Sequence, residues 1–265
     1  MSLELLYEPE GLPAVELPEE LAAYPGSFGF EEPRVFANFV ATVDGVVAIP
    51  SIPNSNKLVA AGSAADRFVM GLLRAAADAL LIGSGTLTAA PRSLWTPEQA
   101  FPAAAGAFEV LRRRLGRQRP AQVAVLTASG LVDPGHPVFA AGALVLTSDE
   151  GAARLAGRLP APAGVTVLGT GPTLDGRAAV AALRDRGYSL ILTEGGPHVL
   201  GSLLTAGVVD ELFLTLSPLL TGRAEPDRRL GLVEGWGLLP DGYPARLLGV
   251  RRDADHLFLR YLIGS

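Results

Sequence analysis

Residues 189–214, SLILTEGGPHVLGSLLTAGVVDELFL, restrict the fold more than any other part of the chain. A short apolar run ends at Glu194, a glycine pair follows, and the pattern then turns helical, so strand, turn, helix and second strand are written in one unit. Pro197 suits a first helical turn. From His198 onward Val199, Leu200, Leu203 and Leu204 recur at helical spacing, and Gly207 suits a left-handed cap at the helix end. A helix that starts directly after Gly195 and Gly196, at the carboxyl end of a strand, presents free N–H groups and a positive dipole end, which favours a pyrophosphate. The plain alternative is a tight strand-to-helix turn. Glu194 favours a ligand, because a turn gains little from a carboxylate at the end of an apolar strand.

The chain of 265 residues suits one large α/β domain or two small ones, and 49% hydrophobic residues suffice for a substantial core. A net charge of −5 argues against a sequence-independent nucleic-acid binder and points to a small-molecule partner. With no cysteine, disulfides, thiolate nucleophiles and cysteine-based zinc sites are excluded. The three histidines, His136, His198 and His256, lack the spacing of a helical metal site, so no metal is expected. The acidic, proline-punctuated start is unlike a signal peptide, and no apolar run reaches the roughly 18 residues that span a bilayer; a cytoplasmic protein without membrane contact is expected.

Five prolines between residues 9 and 33 predict an extended N-terminal arm over 1–33 that packs on the domain or on a partner subunit, with the compact domain over 34–265. Residues 35–40 read as a strand with Asn38 in its middle, and 41–45 carry it into an Asp44-Gly45 turn that leads to 46–49. Residues 50–62 read as loop. Ser63 and Asp66 have capping-box spacing and open a helix through Phe68, Leu72, Leu73 and Ala76. Residues 79–82 form a strand ending in a second glycine turn, Gly83-Ser84-Gly85-Thr86. A long region without assigned elements, 87–120, follows, and its LRRRLGRQR stretch reads as a solvated helix end. Further strands are expected at 123–127, 144–147 and 165–168, then a helix capped by Asp175 and running to Arg186, and finally strands at 211–216, 245–250 and 256–262. This predicts a mostly parallel central sheet flanked by helices, with antiparallel C-terminal strands at one edge.

Three segments together resemble the reductase domain of riboflavin biosynthesis, a branch of the dihydrofolate-reductase-like fold: FANFVATVDGVVA, SAADRFVMGLLRAAADALLIGSGT, and the long stretch from TLDGRAAVAALRDRGYSLILTEGG to LSPLLTG. The likeness covers roughly residues 34–222. It implies an NADPH-dependent oxidoreductase, usually a homodimer, that reduces the ribosyl group of an aminopyrimidine phosphate to a ribityl chain. Carried across, it places Val40 and Ala41 near the nicotinamide and Asp44 in the cleft. Gly83 and Thr86 match the Gly-x-Gly-Thr cofactor turn, Ser129 lies near the adenosine half, and the dinucleotide loop runs through Gly195, Gly196, Pro197, His198, Val199 and Leu200. Arg74, Glu194 and Lys57 match substrate-binding positions. The resemblance also implies a cis peptide between Gly195 and Gly196.

Two segments depart from that pattern. Ala89 and Ala90 stand where paired aspartates are usual, leaving Arg92 or Trp95 to make other contacts, and the loop Asn54-Ser55-Asn56-Lys57-Leu58 lacks the usual tryptophan. Without cysteine there is no zinc deaminase site, so a stand-alone reductase is expected. Hydride transfer needs positioning more than a nucleophile, and in this reading Asp44 and Glu194 serve catalysis, Glu194 accepting hydrogen bonds from the substrate and Asp44 orienting it or relaying a proton. The alternatives are a related reductase of a pterin or another carbonyl or imine, and a non-enzymatic nucleotide-binding member of the fold.

Overall fold

The computed structural model describes residues 3–223, 228–238, 240 and 242–264. Its strands are β1 (Glu4–Tyr7), β2 (Arg34–Thr42), β3 (Ala79–Gly83), β4 (Gln122–Thr127), β5 (Leu144–Ser148), β6 (Gly164–Gly169), β7 (Leu190–Thr193), β8 (Glu211–Ser217), β9 (Ala245–Asp253) and β10 (His256–Ile263). They form one sheet in the order β1-β9-β10-β8-β2-β7-β3-β4-β5-β6. From β8 to β6 the strands run parallel, and β10, β9 and β1 extend the sheet antiparallel. This is the expected mostly parallel sheet with antiparallel strands at one edge.

Burial follows from position. Inner parallel strands such as β3 and β7 are covered on both faces and are buried throughout, which is why they read as unbroken apolar runs. Strand β8 instead alternates, with Glu211, Phe213, Thr215 and Ser217 buried and Leu212, Leu214 and Leu216 half-exposed. One face of the sheet packs on α2 (Ala64–Ala76) and α5 (Ala105–Arg114) through Phe68, Leu72, Leu73, Phe108 and Leu111. The other packs on α8 (Gly176–Arg184) and α9 (Pro197–Thr205) through Ala179, Leu183, Leu200 and Leu203.

Residues 3–33 contribute to this architecture: β1 pairs with β9, and Leu21, Tyr24 and Phe28 are buried in the same core as Phe36 and Phe213. Arg251 anchors the segment, donating to Glu8 and to the Pro25 carbonyl and lying over the Tyr24 ring.

Several expectations need correction. Residues 50–62 contain a short helix, α1 (Ser55–Val59). The region 87–120 holds the end of α3 (Ser84–Ala89), α4 (Pro97–Ala100) and α5. The helix after Asp175 ends at Arg184, two residues before Arg186. The arginines at the end of α5 are more than solvated: Arg112 donates to the Ala75 and Ala77 carbonyls at 2.8 and 2.9 Å, and Arg117 pairs with Asp78, so together they cap the C-terminal end of α2.

Candidate active site

Parallel strands put their carboxyl ends at one sheet edge, the usual place for a ligand in open α/β sheets. Here that edge collects the Asp44 turn after β2, Gly83 to Thr86 after β3, Ser129 after β4 and Glu194 to Leu200 after β7. Nearly all the residues expected to bind cofactor or substrate therefore meet there, although they are far apart in the chain.

The two glycine turns abut. A Cβ on Gly83 would lie 2.8 Å from Val199, and one on Gly195 would lie 2.7 Å from the same side chain, so Val199 wedges between the turns and only glycine lets it do so. Gly196 differs: a Cβ there would meet only the Thr86 hydroxyl, at 3.4 Å. The peptide between Gly195 and Gly196 is trans, contrary to expectation, and Gly196 enters α9 in an extended conformation with φ −61° and ψ 174°. That geometry starts the helix directly, and a trans bond avoids the roughly 2.5–4 kcal/mol of a non-proline cis peptide.

Helix α9 has no side-chain N-cap, and neither do α1, α3 and α5. By contrast α2, α4, α6 (Pro137–Ala140), α7 (Asp149–Leu155) and α8 are each capped by a side chain. The Thr127 and Ser217 hydroxyls, at the ends of β4 and β8, are buried without a partner among the described residues. Uncapped N–H groups at α9 and orphaned hydroxyls on the same edge fit a dinucleotide with its pyrophosphate at α9. Ser129 is exposed and accepts from the Leu131 N–H at 3.2 Å, while Arg154 on α7 donates to the Ser129 carbonyl. Val40 and Ala41 are buried on β2, so backbone is what they can offer. His198 is exposed and stands against Gly235.

Arg74 and Glu194, expected as separate substrate contacts, are held together in a buried ion pair. The guanidinium donates from Nη2 at 2.6 Å and from Nε at 3.1 and 3.2 Å, and its Nη1 donates to the Thr96 carbonyl. Asn38, in the middle of β2, donates to the same carboxylate at 3.3 Å. Arg74 is thus committed to orienting Glu194 rather than free for a ligand phosphate. Lys57 and Arg92 are both exposed, and neither joins this cluster. Trp95 is buried, in left-handed backbone, and its ring stacks on His136, which fixes the loop that departs from the family pattern.

Asp44 is similarly engaged. It accepts from the Thr42 hydroxyl and from the backbone N–H groups of Thr221 and Gly222. These hydrogen bonds, led by that of Thr42, lower its pKa to about 2, so at neutral pH it is a fixed carboxylate that ties the β2 turn to the segment after β8.

Sequence reasoning missed Asn38 as the second donor to the Glu194 carboxylate. Asp66 looked like half of a capping box, and Ser63 Oγ does accept its N–H at 3.1 Å. The reciprocal half is absent: the Ser63 N–H goes to the Ala60 carbonyl, and Asp66 is buried. A polar residue in the middle of an otherwise apolar strand, as at Asn38, was the available signal. No group of side chains suited to a metal ion occurs among the described residues.

Residues 33–235 match the family model described as the RibD C-terminal domain. No curated protein matches the chain. Among solved structures, a pyrimidine reductase-like protein from Corynebacterium diphtheriae superposes with a TM-score of 0.65 at 23% identity, covering 87% of this chain and 92% of its own. The deaminase/5-amino-6-(5-phosphoribosylamino)uracil reductase from Thermotoga maritima gives 0.63 at 19% identity, covering 87% of this chain and 56% of its own. The riboflavin biosynthesis reductase Rib7 of Saccharomyces cerevisia gives 0.56 at 12% identity, covering 90% and 93%. The chain belongs to the RibD C-terminal domain family, the pyrimidine-reductase family of riboflavin biosynthesis that its sequence resembles.

Proposed function

We propose that this reductase takes its hydride from NADPH and reduces the ribosyl group of an aminopyrimidine phosphate to the ribityl chain. One observation carries the reading: a carboxylate oriented by Arg74 and Asn38 stands beside an uncapped helix N-terminus and a glycine turn on one sheet edge. Bound there, the dihydronicotinamide supplies the hydride. The protein's part is positioning and electrostatics. Gly196, Thr86 and the first turn of α9 would hold the pyrophosphate, Ser129 and Arg154 would face the adenosine half, and Val40 and Ala41 would meet the nicotinamide through their backbone. Arg154 is the side chain that favours NADPH over NADH, because a guanidinium beside the Ser129 turn can pair with a 2′-phosphate. Glu194 would accept hydrogen bonds from pyrimidine N–H or ribose hydroxyl groups, and Arg74 keeps it in place.

The protein would act as a homodimer through the sheet face that carries Leu214, Leu216, Leu257 and Leu259, half-exposed aliphatic side chains gathered on neighbouring strands β8 and β10. Among the described residues no helix is long and apolar enough to cross a membrane.

The test is a fluorescence titration with NADPH and NADH, followed by separate addition of the aminopyrimidine ribosyl phosphate and dihydrofolate to the NADPH complex. NADPH oxidation with the pyrimidine supports the proposal. Oxidation with dihydrofolate alone moves the chain to a pterin substrate, and absence of NADPH binding overturns the reading.

A further inference from the structure

Arg74 on α2 and Asn38 on β2 together fix the carboxylate at the end of β7, but its two oxygens are not equally used. Oε2 accepts Nη2 of Arg74 at 2.6 Å and Nε at 3.1 Å, whereas Oε1 accepts only longer bonds, from Nε at 3.2 Å and from Asn38 at 3.3 Å. Oε1 is thus the oxygen with acceptor capacity to spare. Because the guanidinium is planar and holds the carboxylate at two points, the plane of Arg74 sets the direction in which that capacity points.

That plane has a second anchor, since Nη1 of Arg74 donates to the Thr96 carbonyl at 3.3 Å. Thr96 follows Trp95, whose φ of 53° is unusual for a bulky side chain. The Trp95 N–H donates to Ser93 Oγ at 3.3 Å, and Gln99 accepts the Leu94 N–H at 2.7 Å while donating to the Arg92 carbonyl at 3.2 Å. The Trp95 ring, 4% exposed, stacks on His136 with ring centroids 5.8 Å apart. His136 is itself fixed: Nδ1 accepts the Val138 N–H at 3.2 Å, so Nε2 carries the proton and donates to the Ala90 carbonyl at 3.1 Å. One imidazole therefore grips both ends of residues 90–95, and a left-handed tryptophan persists only where its surroundings enforce it.

We propose that Trp95 is a specificity-determining positioning residue: seated on His136, it directs the Thr96 carbonyl at Arg74 and so sets the angle at which Glu194 meets a donor N–H or O–H of the substrate. The inference rests on the reading of Glu194 as a substrate contact. It gives the segment that departs from the family pattern a share in substrate binding, through the backbone and Arg74 rather than through a side chain on the substrate.

The test compares Trp95→Gly, which tolerates the left-handed backbone but lacks the ring, with Val145→Ala, a cavity in the same core on β5 away from this loop. With the aminopyrimidine ribosyl phosphate, Trp95→Gly should raise KM about tenfold while kcat stays within about threefold and NADPH affinity is unchanged. Trp95→Phe, which keeps a stacking ring, should restore most of the KM, and Val145→Ala should leave it at the wild-type value. His136→Gln removes the ring partner and carries the same expectation should Trp95→Gly not fold. An unchanged KM, or an equal rise in Val145→Ala, overturns the inference. The second readout needs no substrate: hydrogen exchange of the Arg74 Nε–H, followed by NMR, should quicken about tenfold in Trp95→Gly and not in Val145→Ala. If wild type oxidises no NADPH with the pyrimidine, the functional reading fails, and this exchange decides separately whether Trp95 positions Arg74; an unaltered rate overturns that as well.

Discussion

The two ends of the parallel strands are built on opposite principles. At the amino-terminal edge two carboxylates tie strand starts together: Asp78 accepts from the Ser189 N–H and hydroxyl and from the Leu190 N–H at 2.9–3.0 Å and pairs with Arg117, while Asp210 accepts from the Val35 N–H at 2.6 Å. At the carboxyl-terminal edge α3 and α9 start without side-chain caps, and the Thr127 and Ser217 hydroxyls are buried without partners. A saturated edge maximises stability. An unsaturated edge forgoes hydrogen bonds within the protein and leaves donors for a ligand. The Arg74–Glu194 pair belongs to the second edge yet is saturated.

That contrast can be broken by substitution. The largest effect is expected for Arg74→Ala, which strands the buried Glu194 carboxylate and should destabilise the fold by about 3–5 kcal/mol in urea unfolding, with turnover lost as well. Asp78→Ala leaves buried N–H groups unpaired at the other edge and should lower stability by about 3 kcal/mol. Its NADPH affinity should be unchanged, and a weakened affinity there would undo the division between the edges.

Gly196→Asp should do the reverse. Its side chain has room in the free protein but opposes a pyrophosphate, so NADPH affinity should fall on the order of 10²-fold, about 2.7 kcal/mol, with little change in unfolding. Gly195→Ala provides the contrast within the same turn, because its Cβ collides with Val199 and the loss should appear in stability. Arg154→Ala should narrow the preference for NADPH over NADH about tenfold, or about 1.4 kcal/mol, read from the ratio of dissociation constants. The smallest effect concerns pH. The pKa of Asp44 is depressed in the folded state, so its contribution to stability is present above about 3.9 and is lost as pH falls toward about 2. Asp44→Asn should therefore flatten the acid limb of unfolding in that window, and an unaltered limb would show that its hydrogen bonds to Thr221 and Gly222 do not persist in solution.

Much of this architecture was legible before any coordinates, for a local reason. Strand β7, the glycine pair and α9 occupy one short segment, and their periodicity and turn chemistry are set by neighbours within a few residues. The same holds for α2, and for β3 with the turn that follows it. Residues 87–120 were not legible, since the short helices α4 and α5 carry weak patterns and take their stability from packing on α2. The Gly195–Gly196 bond illustrates another limit: a family expectation gave cis, while the local entry into α9 is trans.

Residue identity alone determined which groups could do chemistry here: no thiol, three histidines without metal spacing, a carboxylate after an apolar strand and a glycine turn before a helix. The tertiary structure decided what those groups are free to do. Arg74 became the partner of Glu194, with Asn38 as a second donor, and Asp44 became a clamp on the segment after β8. Each of these outcomes depends on residues brought together from distant parts of the chain. A side chain's charge, burial and hydrogen-bond partners are set by that assembly and leave no periodic trace in the sequence.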